Sequence, residues 1–152
     1  MSEFIEASHV FLDSPAQDVG QALDFLSSKA VELGIASDKQ EVKKAFEERE
    51  SEGTTGMLDG FAIPHAKCDA IHKASVIIVK FANDMAWESL DGKPIKVAIS
   101  LLVPSAEAGT THIQLLSKVA VMLMDENFRK QVLASSDKQA IASLINERLE
   151  SK

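Results

Sequence analysis

The chain of 152 residues (16.5 kDa) is 45% hydrophobic and 26% charged, proportions of an ordinary globular domain that exclude disorder as its main state. It carries 16 Lys+Arg against 23 Asp+Glu, a net charge of −7, and its lysines sit among carboxylates, as over residues 38–52. No basic patch is left to follow a phosphate backbone, so nucleic acid is excluded as a partner. The single cysteine, Cys68, cannot close an internal disulfide, which points to a reducing compartment.

The length suits one domain over residues 1–152, burying about two-thirds of the surface of the extended chain. The opening MSEFIEASHVFLD has neither a basic start nor a long apolar stretch, so no secretory signal is expected. The longest apolar runs, at 76–79, 97–103 and 119–124, fall far short of the about 20 residues of a spanning helix. A cytoplasmic protein that does not cross a membrane is expected.

In chain order, a short strand is predicted over 9–12. Ser14 followed by Pro15 predicts a helix N-cap with proline in the first turn, where its missing N–H costs nothing. Val19, Leu23, Leu26, Ala30 and Leu33 mark one helical face, ended by Gly34. Ser37 with Gln40 reads as a capping box for a second helix that reaches about residue 50 and turns Val42, Ala45 and Phe46 inward. Gly53-Thr54-Thr55-Gly56 reads as a flexible loop and 61–64 as a short extended segment. The runs SVIIVKF (75–81) and IKVAISLLV (95–103) predict buried strands, with Asp91-Gly92-Lys93-Pro94 turning between them. Thr111 with Gln114 predicts the cap of a third helix that buries Leu115, Leu116, Val119, Met122 and Leu123. Helices over 126–134 and 137–150 follow, the last capped by Ser136 with Gln139. This pattern predicts an α/β fold, a mixed β-sheet sandwiched between helices on both faces in a single domain.

Of the four histidines, His65 has the most informative setting. Pro64 fixes its own φ and biases Ile63 to an extended conformation, so the backbone delivering His65 is stiff, as a nucleophile or ligand requires. A hydrogen-bonded histidine at a strand end fits the same residues. His112 falls in the first turn of a helix, where free N–H groups and the positive dipole end attract an anion; a solvated histidine is the plainer alternative. Arg49 closes the second helix just before Thr54 and Thr55. It can neutralise an anion there or simply complement the helix C-terminus. His9 and His72 read as surface or satisfied histidines.

His65, Cys68 and His72 are too few for a structural zinc site, and Cys68 beside Asp69 lacks an activating environment. No metal or cofactor site is predicted. The chain has no G-x-x-x-x-G-K-[ST], G-x-G-x-x-G or G-x-S-x-G. If it handles phosphate, the donor is something other than a P-loop nucleotide.

Arg49-Glu50, Thr54-Thr55-Gly56 and the run Asp59-Gly60-Phe61-Ala62-Ile63-Pro64-His65-Ala66-Lys67 resemble the signature of the enzyme IIA domains of fructose–mannitol type, from the bacterial phosphoenolpyruvate-dependent sugar phosphotransferase system. The similarity continues through Trp87, Leu90-Asp91-Gly92, Val103-Pro104, His112-Ile113-x-x-Leu116, Phe128 and Leu144. The resemblance implies that His65 is the phosphoacceptor nucleophile, that His112 stabilises the phosphoryl group and that Arg49 stabilises its charge. It implies phosphate arriving from the phosphocarrier HPr, joining Nε2, and leaving to a cysteine of the enzyme IIB domain; Cys68 does not match that cysteine. It also implies association with a membrane permease complex. Leu58, where a small or polar residue is common, and Ile113, where leucine is usual, depart from the pattern without removing a chemical group.

Physical chemistry agrees with the implied roles. A neutral imidazole can attack phosphorus through one ring nitrogen while the other donates to a fixed acceptor, and phosphoryl transfer asks mainly for alignment and charge neutralisation. The AIPHAK stretch and the Trp87 to Gly92 segment look more like fructose-type members than mannitol-type ones. The alternative is a regulatory relative of the nitrogen-related branch, phosphorylated on the same histidine but acting by binding other proteins. A binding module without turnover is disfavoured by the joint retention of Arg49, His65 and His112. Met57, Phe61 and Ile63 either form a docking patch for the partners or pack into the core.

Overall fold

The two apolar runs at 75–81 and 95–103 become the antiparallel centre of a sheet. A computed structural model of the protein describes residues 5–107 and 109–150, and among them the sheet has five strands. These are β1 (Val10–Ser14), β2 (Phe61–Ala62), β3 (His65–Cys68), β4 (Ser75–Met85) and β5 (Ile95–Pro104). The helices are α1 (Val19–Glu32), α2 (Lys39–Ser51), α3 (Thr111–Met124), α4 (Glu126–Ala134) and α5 (Lys138–Glu150). The strand order is β1-β4-β5-β2, with β3 following β2 along the same side of β5. β1 runs parallel to β4, and β2 and β3 run parallel to β5. The sheet is therefore mixed, as expected.

Successive strand residues point to opposite faces, so the central strands feed two cores. Val76, Ile78, Val97, Ile99, Leu101 and Val103 pack with Leu115, Val119, Phe128, Val132 and Ile145 from α3, α4 and α5. Ile77, Val79 and Leu102 meet Leu23, Leu26 and Ala30 of α1 and Val42 and Phe46 of α2. Both faces are covered, which is why these strands read as continuous apolar runs rather than alternating ones. Among the described residues, no helix is long and apolar enough to cross a membrane.

Several helix starts correct the sequence reading. Ser14 ends β1, and α1 begins at Val19 with Asp18 as its cap, accepting the Gln21 N–H at 2.8 Å. Asp38, not Ser37, caps α2 through the N–H groups of Gln40 and Glu41 (3.0 and 3.3 Å). Asp137, not Ser136, accepts from Gln139 and Ala140 at the start of α5 (3.0 and 3.2 Å). An ionised carboxylate makes a charge-assisted bond and also complements the helix dipole, so beside a serine it wins the cap. α3 starts at Thr111 itself, with Thr110 at the N-cap position. His9 belongs to a 3-10 turn before β1, and β4 runs four residues past the predicted end at Phe81. Gly34, at φ +76°, ends α1 as expected. Residues 1–4 of the stretch searched for a signal lie outside the described residues.

Candidate functional site

The site lies where the edge of the sheet breaks. Phe61 and Ala62 pair with Val97 and Ala98 of β5, and His65 resumes the ladder opposite Leu101. Pro64 has no N–H to give the ladder, although its carbonyl still accepts from Leu101 at 3.0 Å. Ile63 turns its N–H away to the Thr55 carbonyl at 2.9 Å. Its own carbonyl is thereby left to accept Nδ1–H of His65 at 2.9 Å.

The Gly53–Gly56 segment is pinned rather than flexible, contrary to the sequence reading. Thr54 Oγ1 donates to the Glu88 carbonyl at 2.5 Å and accepts the Gly56 N–H at 3.1 Å. Thr55 gives both its N–H (3.3 Å) and its hydroxyl to the Glu50 carboxylate. Gly56 packs so closely on the stretch that follows β4 that a Cβ there would stand 2.1 Å from the Glu88 carbonyl oxygen.

Arg49, His65 and His112, far apart in sequence, are brought together. α2 packs beside β3, and Arg49 near its end donates Nε–H to His65 Nε2 at 3.0 Å while Nη1 donates to the Gly53 carbonyl at 2.8 Å. A carbonyl can only accept and a guanidinium can only donate. The two contacts therefore fix one neutral tautomer, with the proton on Nδ1 and the lone pair on Nε2. His65 is 5% exposed. Burial pushes its pKa down from 6.5 to about 4; the Ile63 carbonyl opposes that, and the charges of Arg49, His112 and Lys67 add to it.

His112 is the second residue of α3. Its ring centroid lies 5.0 Å from that of His65, with the planes inclined by 52°. Burial, then Lys67 and Arg49, lower its pKa. Its Nε2 is buried without a hydrogen-bond partner among the described residues. The group thus comprises a directed imidazole lone pair, a guanidinium, a second imidazole and the N-terminal turn of α3. Such a set can align a nucleophile and balance a phosphoryl dianion.

The remaining candidates fall elsewhere. His9 Nδ1 contacts the Val76 carbonyl at 3.0 Å, a satisfied histidine. His72 is exposed. Cys68 is half-buried, and burial pushes its thiol pKa up, away from reactivity. Phe61 and Ile63 are buried in the core, and half-buried Met57 packs against it, so core packing accounts for all three rather than a docking patch. Leu58 and Ile113, the two departures from the family pattern, are exposed. Glu50 and Thr55 were visible as motif letters, but their spacing gives no sign that the side chains meet. Glu88 has no sequence signal at all.

Comparison with known proteins bears on this geometry. Residues 3–148 match the family model described as phosphoenolpyruvate-dependent sugar phosphotransferase system, EIIA 2. A fructose-specific EIIA component of the phosphotransferase system from Haloferax volcanii is 36% identical over 141 residues, covering 93% of this chain and 91% of its own length. A nitrogen regulatory protein from Bradyrhizobium diazoefficiens is 35% identical over 125 residues, covering 82% and 80%. Against the fructose-specific EIIABC component of Bacillus subtilis (29% identical), the chain spans 23% of that protein's length.

The crystal structure of nitrogen regulatory protein IIA-Ntr from Neisseria meningitidis shares the fold with a TM-score of 0.86 at 24% identity, covering 94% of this chain and 97% of that one. IIA mannitol from Escherichia coli, in complex with phosphorylated IIB mannitol, superposes with a TM-score of 0.74 at 19% identity, over 97% and 98%. Domains of this type are phosphotransferases that accept a phosphoryl group on histidine and pass it to EIIB. The match extends over nearly the whole described chain, and the chain belongs to the EIIA 2 family of the phosphoenolpyruvate-dependent sugar phosphotransferase system.

Proposed function

We propose that this protein is a phosphocarrier whose His65 Nε2 takes a phosphoryl group from phospho-HPr and hands it to a cysteine of an enzyme IIB component, in the uptake of fructose or a related hexose or hexitol. The reading places it in the cytoplasm beside a membrane permease. The observation that carries it is the tautomer of His65: Nδ1–H on the Ile63 carbonyl leaves the Nε2 lone pair facing Arg49. That lone pair attacks phosphorus, and the bond to the donor breaks with its electron pair leaving on the donor. Arg49 Nε–H moves from the lone pair to a phosphoryl oxygen, while the Nδ1–H bond to Ile63 persists and spreads the new positive charge of the ring. His112 Nε2, unpartnered among the described residues, is free to meet a second phosphoryl oxygen. In the second transfer a thiolate sulfur attacks phosphorus, the P–Nε2 bond breaks, and the lone pair returns to a neutral imidazole.

The fructose assignment is supported by the 36% identity to a fructose-specific component. The 35% identity to a nitrogen regulatory protein supports a second reading, in which the phosphorylated domain acts by binding other proteins. The test is incubation with phosphoenolpyruvate, enzyme I and HPr, followed by a chase with a fructose-type IIB domain. Carrier function predicts an acid-labile adduct on the wild type, none on His65→Ala, and discharge to IIB. An adduct that IIB does not discharge favours the regulatory reading; no adduct on folded wild type refutes both.

A further inference from the structure

The phosphoacceptor is held by a relay that begins one residue beyond Arg49. The Glu50 carboxylate receives both the backbone N–H and the hydroxyl of Thr55. The Thr55 carbonyl receives the Ile63 N–H at 2.9 Å, and the Ile63 carbonyl receives His65 Nδ1–H at 2.9 Å. Thr55 is 4% exposed and His65 5%, so water does not freely rewire the relay at either of these residues. Pro64 removes the ladder bond that would otherwise fix this stretch, and the relay supplies the missing constraint.

We propose that Glu50 is a positioning residue for phosphoryl transfer, setting the orientation and tautomer of His65 through Thr55 and Ile63 while touching neither the ring nor the phosphoryl group. This rests on the reading of His65 as the phosphoacceptor. Two features separate the role from ordinary loop packing. The carboxylate takes two donors from one residue, the backbone N–H on one oxygen and the hydroxyl on the other, and alanine at position 50 removes both acceptors at once. The Thr54 latch to Glu88 also holds the loop independently, so loss of the Glu50 contacts loosens the relay without releasing the whole segment.

The test compares Glu50→Ala, Thr55→Val and Thr55→Ser with the wild type in two measurements. The first is nitrogen-15 NMR of His65 in the unphosphorylated protein, following exchange of the Nδ1 proton. The second is the single-turnover rate of phosphoryl acceptance from phospho-HPr. In Glu50→Ala the Nδ1 proton exchanges at least about tenfold faster than in the wild type, and acceptance slows by about ten- to a hundredfold, the range expected for a misplaced reacting group. The Leu101 amide, bonded to Pro64 rather than to the relay, keeps its wild-type protection.

Thr55→Val moves both readouts the same way, and Thr55→Ser, which keeps both donors, restores them. That pair carries the test should Glu50→Ala fail to fold. Unchanged Nδ1–H exchange in Glu50→Ala or Thr55→Val overturns the proposal whatever the transfer rate does. A wild type that accepts no phosphoryl group, with Nδ1–H exchange still accelerated in the variants, instead refutes the phosphoacceptor reading and leaves the relay standing.

Discussion

Acidification is the perturbation that most directly probes the state of His65. Its ring is pushed from 6.5 to about 4 by burial, with the Arg49, His112 and Lys67 charges adding to the shift. The folded protein therefore binds this proton more weakly than the unfolded chain does. The resulting loss of stability begins as pH falls through the unfolded value near 6.5 and is complete once pH is below the folded value near 4. Linkage puts the loss at about 2 kcal/mol at pH 5. Paired carboxylates elsewhere, such as Asp59 with Lys93 and Arg129, also weaken in acid, so the contribution is isolated against His65→Gln, which cannot titrate at that position. Urea unfolding of both proteins should show their stability difference shifting by about 2 kcal/mol between pH 7.5 and 5, at the expense of the wild type. NMR titration reads the same proton directly. At pH 5.5 an unshifted imidazole keeps roughly a tenth of its neutral form, whereas His65 should remain more than about nine-tenths neutral. A His65 titration midpoint near 6.5, or a stability difference independent of pH, would refute the reasoning from burial.

Further predictions follow from other contacts. Arg49→Ala removes a charged donor to the acceptor nitrogen and should slow single-turnover phosphorylation about ten- to a hundredfold, equivalent to about 1.5–3 kcal/mol. Arg49→Lys should recover little of that, because lysine has no Nε–H and Nη1–H fork for His65 and Gly53; wild-type rates in either variant would return Arg49 to a helix-end role. Gly56→Ala drives a methyl to 2.1 Å from the Glu88 carbonyl. It should cost about 1–3 kcal/mol in urea unfolding and shift the emission of the adjacent Trp87, the chain's single tryptophan. The Lys80 ammonium donates to the carbonyls of Val132, Leu133 and Ser135 at 2.9, 3.0 and 2.7 Å, closing the end of α4. Lys80→Met should destabilise by about 1.5–3 kcal/mol, and an unchanged unfolding midpoint would contradict that account.

Much of this architecture was legible from residue pattern. The runs at 75–81 and 95–103 read as buried strands from their continuous apolar, β-branched character, and helices do cover both faces of β4 and β5. The stiffness of Ile63-Pro64 before His65 was visible for the same reason that the ladder breaks there. The helix caps were not resolved, since Ser and Asp neighbours at 37–38 and 136–137 are equally good caps by type and charge decided between them. The loop at 53–56 reads as flexible from its sequence because its restraints are long-range. Glu88 lies 34 residues from Thr54, and nothing in local sequence signals that pairing. Likewise, the approach of Arg49 to His65 depends on α2 packing beside β3, which no spacing rule gives. Recognition of the family motif supplied what periodicity could not.

The central claim is that the fold presents Nε2 of His65, and no other nitrogen, to phosphorus. Its most direct test is nitrogen-15 and phosphorus-31 NMR of the protein after phosphorylation by phospho-HPr, locating the P–N bond. The account predicts a single phosphoryl group on Nε2 of His65, with Nδ1 still protonated and bonded to the Ile63 carbonyl. A phosphoryl group on Nδ1, on His112 or on any other residue would contradict it.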